Sequence, residues 1–223
     1  MSSRDSANAF AKGLKQEASS ALGHSVLEPT TPSRGGNEKG TIGSGPHETG
    51  GRLLRLKEVF MRVLVAYGSK MGGTEGLAAM VATELEGNGF EADAAPARSI
   101  RRLDAYDAVI LGGALYSLRW HKDARSFVKR HRKALATMPL WLFSSGPLDD
   151  SAIEKDIPPV GFVRKTAELL GARGHVTFGG RLPADAEGFP AKAMARDGAG
   201  DWRDPDQVRL WAKEVAEQLH ALG

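Results

Sequence analysis

No cysteine occurs anywhere in the 223 residues, which removes disulfides, thiolate metal sites, iron–sulfur clusters and thiol redox chemistry together. If electrons pass through this protein, an organic cofactor must carry them. Long apolar runs are missing too: no stretch reaches the ~18 residues that a helix needs to cross a bilayer. The first residues lack the apolar core of a secretory leader, so a cytoplasmic location is expected. Charge of one sign is also scarce. Lys and Arg number 30 against 27 Asp and Glu, a formal net charge of +3. Residues 1–60 hold eight of the cations and six of the acids, leaving 22 against 21 for residues 61–223. No dense basic stripe of the kind nucleic acid requires is present, and nucleic acid is not expected as a partner. The exception is Lys129-Arg130-His131-Arg132-Lys133. It reads first as a solvated helix face and second as a docking site for an anionic surface. The six histidines show no metal-ligand spacing, and no histidine or carboxylate pairing marks a serine nucleophile.

Aromatics are thin at the start: residues 1–60 contain only Phe10 and Phe60. The segment from Thr30 to Gly51 is rich in Gly, Pro, Ser, Thr and Glu and buries too little apolar surface to offset chain entropy. Before it, Phe10, Leu14, Ala18 and Leu22 recur every four residues, a weak amphipathic pattern. Three readings of residues 1–60 stay open: a disordered tail, a partner-binding helix on a linker, or an over-long gene model with the true start at Met61. The domain proper is expected over residues 61–223.

From Met61 strand and helix signals alternate. Val63-Leu64-Val65-Ala66-Tyr67 suits a parallel strand buried on both faces. Leu77, Met80, Val81 and Leu85 then fall at helical spacing until Gly87-Asn88-Gly89 stops the helix. Phe90 to Ala94 is a weaker strand. Ala108 to Leu111 is a third, expected to end at Gly112-Gly113. A helix follows with Ala124, Phe127, Val128, His131 and Leu135 on one face. Leu140 to Phe143 is the fourth strand, Phe162 to Leu170 a helix, and His175 to Phe178 the fifth strand. In the last helix Asp204 is the cap, Pro205 takes the first helical position and Gln207 is placed to close a capping box. Its core face is Val208, Trp211, Ala212, Val215, Ala216 and Leu219. Such alternation implies a doubly wound α/β domain, a parallel sheet covered on both sides. Ligands of these sheets sit beyond the carboxyl ends of the strands.

The loop after the first strand is Ser69-Lys70-Met71-Gly72-Gly73-Thr74. Backbone N–H groups, two hydroxyls and the positive end of a helix converge there. Its glycines let a phosphate approach without Cβ atoms in the way. A phosphate monoester fits it, with Lys70 adding charge from the rim. It is neither a Walker loop nor a G-x-G-x-x-G turn. A receiver domain is excluded as well, because Gly68-Ser69 and Gly112-Gly113 stand where that fold needs acids.

Tyr67 through Thr74 resembles the phosphate loop of flavodoxins, Ser/Thr-x-Thr-Gly-x-Thr, with Met71 replacing the usual hydroxyl. Met71 could then contact phosphate only through its backbone N–H. The resemblance covers nearly all of residues 61–222 and is closest to the branch of menaquinone-dependent protoporphyrinogen dehydrogenases. Ser126 to His131, Met138-Pro139 and Gly200 to Asp204 resemble the same branch. The resemblance implies a five-stranded parallel sheet in the order 2-1-3-4-5 and FMN as cofactor. By resemblance, Gly113, Ala114, Leu115, Tyr116 and Trp120 flank the flavin ring, with Tyr116 and Trp120 as the stacking candidates. Ser144, Ser145, Gly146 and Pro147 would meet its pyrimidine edge. Arg119 and His121 are expected to face solvent. In that branch the segment matching Arg181 to Arg203 is a long insertion associated with membrane or substrate contact. Here it is shorter, and its apolar residues Leu182, Phe189 and Met194 are scattered.

The expected function is an FMN-dependent oxidoreductase passing electrons from a reduced organic substrate to a quinone-type acceptor. Protoporphyrinogen IX oxidation in haem biosynthesis is the specific candidate, on resemblance alone. The alternative is an electron carrier of the flavodoxin type, usually strongly acidic, whereas residues 61–223 are close to neutral. No general base stands out, so no catalytic side chain is assigned. A homo-oligomer and peripheral membrane contact are both left open.

Overall fold

Alternate residues of the first strand face opposite sides of a sheet, and both sides are apolar. Val63, Val65 and Tyr67 enter one core and Leu64 and Ala66 the other. The computed structural model describes residues 61–188 and 191–222. The readings made on residues 1–60, and on Phe189, lie outside them.

In chain order the elements are β1 (Arg62–Gly68), α1 (Gly73–Gly87), β2 (Glu91–Pro96), β3 (Ala108–Tyr116), β4 (Arg119–Trp120) and α2 (Lys122–Leu135). Then come β5 (Leu140–Ser145), α3 (Ser151–Glu154), α4 (Gly161–Leu170) and β6 (Gly174–Phe178). The chain closes with β7 (Arg181–Leu182), α5 (Ala191–Gly198), β8 (Gly200–Asp201) and α6 (Pro205–His220). The main sheet runs β2-β1-β3-β5-β6 with every neighbouring pair parallel. This is the expected doubly wound order. Two short additions were not expected: β4 folds back antiparallel on β3, and β7 pairs with β8 as a separate ribbon.

One core packs α1 and α6 against Ile110, Trp141, Phe143 and Phe178. The other packs α2 and α4 against Leu111, Leu140, Leu142 and Trp120. In α2 the buried residues are the expected Ala124, Phe127, Val128, His131 and Leu135. Burial lowers the His131 pKa, partly opposed by its contact with Ile100 O. Asp204 caps α6 by accepting from the Asp206 N–H at 2.8 Å. Gln207 does not close a capping box. Its amide instead donates to Ala152 O at 2.6 Å, tying α6 to α3.

The third strand does not stop at Gly112-Gly113. Both glycines continue the ladder, opposite Tyr67 and Gly68 on one side and Phe143 and Ser144 on the other. They are glycines because aromatic rings occupy the space a Cβ would need: Phe143 lies over Gly112 and Trp120 over Gly113. The fourth strand likewise runs on through Ser144 and Ser145. The chain reverses only at Ser117 and Leu118, both left-handed at φ 47° and 61°. Positive φ at both central residues is the signature of a type I′ hairpin turn.

A cavity at the carboxyl ends of the strands

β1 delivers the chain to Gly68, where a Cβ would approach the Ala124 backbone N to 2.7 Å. The start of α2 therefore sits directly on the end of β1. Four residues later Gly72 takes φ 76° and precedes α1 without any side-chain cap. The first N–H groups of a helix have no intrahelical acceptor, so α1 opens toward the loop with its positive end free of a capping oxygen. Thr74 is 1% exposed, and its hydroxyl has no hydrogen-bond partner among the described residues. Leaving a buried hydroxyl unsatisfied costs about 1–3 kcal/mol, so this atom marks a place where an external oxygen fits. Glu75, the acid of this first turn, accepts from the Tyr67 hydroxyl at 2.9 Å. Burial, followed by that contact, pushes the Tyr67 phenol up to about 12.

Arg203 secures the same helix end. Its Nη1 donates to Gly73 O at 3.4 Å while Nε donates to Asp201 at 2.7 Å. The pairing raises the Arg203 pKa and lowers that of Asp201.

The cavity in front of this loop has a volume of about 450 Å3, within the range of small-molecule sites. Of the residues expected there, Ser69, Lys70, Met71, Gly73 and Thr74 line it from the loop. Ala114, Leu115 and Tyr116 line it from β3, Ser145 from the end of β5 and Gly146 from the loop after it. Burial raises the Tyr116 phenol while the Lys70 backbone beside it lowers it, so the hairpin and the first loop meet across the cavity.

Five expected residues are not on the wall. Gly72 shapes the loop through its φ. Gly113 and Ser144 are covered by Trp120, which is 1% exposed; its Nε1 donates to Ser144 Oγ at 3.0 Å. Trp120 is therefore a core residue, and of the two aromatics expected at the site only Tyr116 lines the cavity. Pro147 O accepts from the Gly180 N–H at 2.7 Å, joining the loops after β5 and β6. The Gly146 N–H is taken by Phe178 O at 3.2 Å and is not free for a ligand's edge.

Ser117 and Leu148, in the two loops expected around the flavin, also line it, and Gly180, Arg181, Leu182, Ala191 and Met194, which sequence reasoning missed, complete the lining. Most belong to the segment from Arg181 to Arg203. Rather than a long loop, it forms β7, α5 and β8, and Arg181 packs beside Gly73 in the loop after β1. His121 is not a solvent residue. It caps α2 by accepting from the Asp123 N–H at 3.4 Å, and its pKa is lowered first by burial. Arg119 is exposed, as expected. Among the described residues no cluster of His, Asp and Glu could hold a metal, and no helix is long and apolar enough to cross a membrane.

Several known proteins are similar to this chain. The chain is 30% identical over 86 residues to protoporphyrinogen IX dehydrogenase [quinone] of Escherichia coli strain K12, a match covering 38% of this chain and 48% of that protein. The protein of that name from Escherichia coli O157:H7 matches to the same extent. The chain thus spans about half the length of the curated relatives it matches. Among solved structures, a flavodoxin from the domain Archaea superposes with a TM-score of 0.50 at 11% identity, covering 72% of this chain and 99% of that one. Rubredoxin oxygen:oxidoreductase from Desulfovibrio gigas gives 0.50 at 12% identity, covering 72% of this chain and 36% of the other. At such identities the likeness is one of fold alone. The family defined by the flavodoxin domain matches residues 64–194. With more than half of its residues inside that match, the chain belongs to the flavodoxin domain family.

Proposed function

We propose that this protein holds FMN in the cavity at the carboxyl ends of β1, β3 and β5 and transfers electrons through it. The observation carrying this reading is the buried, unpartnered Thr74 hydroxyl on the uncapped first turn of α1. A bound flavin supplies reversible one- and two-electron chemistry that no side chain here offers. The chain's part is to bind, orient and shield. Ser69, Thr74 and the N–H groups of the loop would hold the phosphate, Gly72 and Gly73 would leave room for it, and Lys70 would balance its charge. Ala114 to Tyr116 and Ser145 would flank the ring. Leu115, Leu148, Leu182 and Met194 make the remaining wall apolar, which excludes water and lowers the local dielectric.

Carriage of electrons between partners, without a substrate of its own, is the role with the broader support: family and fold both point to it. An oxidoreductase taking electrons from a reduced organic molecule and giving them to a quinone-type acceptor is the second reading. Its supports are the apolar end of the cavity and the name of the Escherichia coli relatives. Protoporphyrinogen IX is the specific substrate to try.

Titrating the full-length protein with FMN and following flavin fluorescence tests the shared claim. Saturable quenching is expected, and a folded protein that takes up no FMN overturns it. Potentiometry of the loaded protein then separates the roles. Two well-separated one-electron steps favour carriage, while turnover with protoporphyrinogen IX and a menaquinone analogue favours the enzyme.

A further inference from the structure

The near-neutral charge of residues 61–223 hides a strong segregation. Residues 98–133 contain ten Lys and Arg against three Asp and Glu, leaving 12 against 18 for the rest of residues 61–223. Nine of those ten cations are exposed, Arg125 being partly covered. Among the described residues only Arg102 forms an ion pair, with Asp104. The cations occupy one side of the fold. Arg130 Nη2 donates to Ala97 O at 2.8 Å and to Ile100 O at 3.2 Å, which fastens the Arg98–Arg102 loop to α2. At the other end of α2, Arg98, Lys122 and Arg125 lie near His121; burial lowers its pKa first, Asp123 opposes that, and the three cations each add to the lowering.

The β3–β4 hairpin projects beside this face. Its tip, Leu118, is 75% exposed and held at φ 61°. A left-handed leucine is strained, and an exposed one gains no burial in return. Strain of this kind, kept where the fold itself draws no benefit, points to function. The turn sets an apolar side chain in solvent next to Arg119, with the cavity-lining Tyr116 and Ser117 preceding it.

We propose that the hairpin tip, the Arg98–Arg102 loop and the exposed side of α2 dock this protein on an anionic lipid surface. Unpaired cations spread along α2 suit a layer of phosphate headgroups, each contributing a sequence-independent attraction. Leu118 is the wedge that enters below the headgroups, while Arg119 and Lys122 keep their charges in the polar layer. An acidic protein would use the cations but has no need of the strained leucine. Lipid contact itself does not depend on the flavin reading.

Cosedimentation of the full-length protein with vesicles tests it, using phosphatidylcholine alone or mixed with phosphatidylglycerol. Binding is expected only to the mixed vesicles and should disappear in molar salt. The triple variant Lys129→Glu, Arg132→Glu, Lys133→Glu should partition at least about 100-fold more weakly. Leu118→Gly should partition about 10-fold more weakly while melting no lower than the parent. That second variant decides the matter if the triple variant fails to fold. Equal binding to neutral vesicles overturns the proposal. So does unchanged binding of either variant, or retention on immobilised polyglutamate without binding to any vesicle, which would indicate an acidic protein instead.

Discussion

The Trp120 indole N–H donates to the Ser144 hydroxyl at 3.0 Å, and that hydroxyl lies 3.0 Å from His175 Nε2. Since the indole is a donor only, the serine's own proton is free to go to Nε2. The imidazole then stays neutral, with its proton on Nδ1. Side chains of β4, β5 and β6 are thereby linked, although β4 itself pairs only with β3. Ser144→Ala would strand both ring nitrogens. A loss of about 1–3 kcal/mol in a urea melt is expected, and an unchanged melt would dissolve the link.

Burial pushes the His175 pKa down to about 4, partly opposed by Asp156. A histidine whose folded pKa lies below its unfolded value contributes stability above the unfolded value. That contribution shrinks as pH falls through 6.5 and is gone below about 4. Allowing for partial exposure, about 2 kcal/mol is lost across this window. His175→Gln should flatten the stability profile there by that amount. Parallel profiles for parent and variant would show the titration lies elsewhere.

Gly68→Ala would bring a Cβ to 2.7 Å from the Ala124 backbone N and 2.9 Å from its Cβ. Both atoms belong to Ala124 in the first turn of α2, where helix backbone leaves little room to yield. Destabilisation of about 1–3 kcal/mol is expected, together with weaker FMN uptake because β1 positions the loop. Fluorescence titration beside a thermal melt reads both.

Thr74→Val removes a buried hydroxyl that has no partner in the protein. The variant should therefore be no less stable than its parent without ligand, yet bind FMN about 10-fold more weakly, the worth of one hydrogen bond to a charged group. Equal affinity would mean that the phosphate sits somewhere else.

Ser117→Asn with Leu118→Gly supplies the residue pair a type I′ turn prefers. Relieving two left-handed side chains should raise stability by about 1 kcal/mol, measurable by denaturant unfolding.

The sheet was legible in the sequence because its strands are buried on both faces and its helices carry one apolar stripe each. Val63 to Tyr67 and the α2 face from Ala124 to Leu135 needed nothing beyond periodicity. Gly112 and Gly113 misled, since a glycine pair after an apolar run reads as a turn unless the rings of Phe143 and Trp120 are known to need the space. Trp120 misled for a related reason: whether an aromatic near a loop faces ligand or core depends on a hairpin whose turn, Ser117-Leu118, has none of the usual turn residues. The loop Ser69 to Thr74 was readable from local chemistry. The opposite wall was not, because Leu182 and Met194 reach the cavity through pairing between β7 and β8, and two-residue strands leave no pattern.

That small ribbon also has an evolutionary meaning. β7 and β8 stand outside the main ladder, so whatever is spliced between Leu182 and Gly200 can lengthen, shrink or change sequence while the register of the parallel strands is untouched. The stretch that brings Ala191 and Met194 to the cavity wall can thus vary without renegotiating the scaffold.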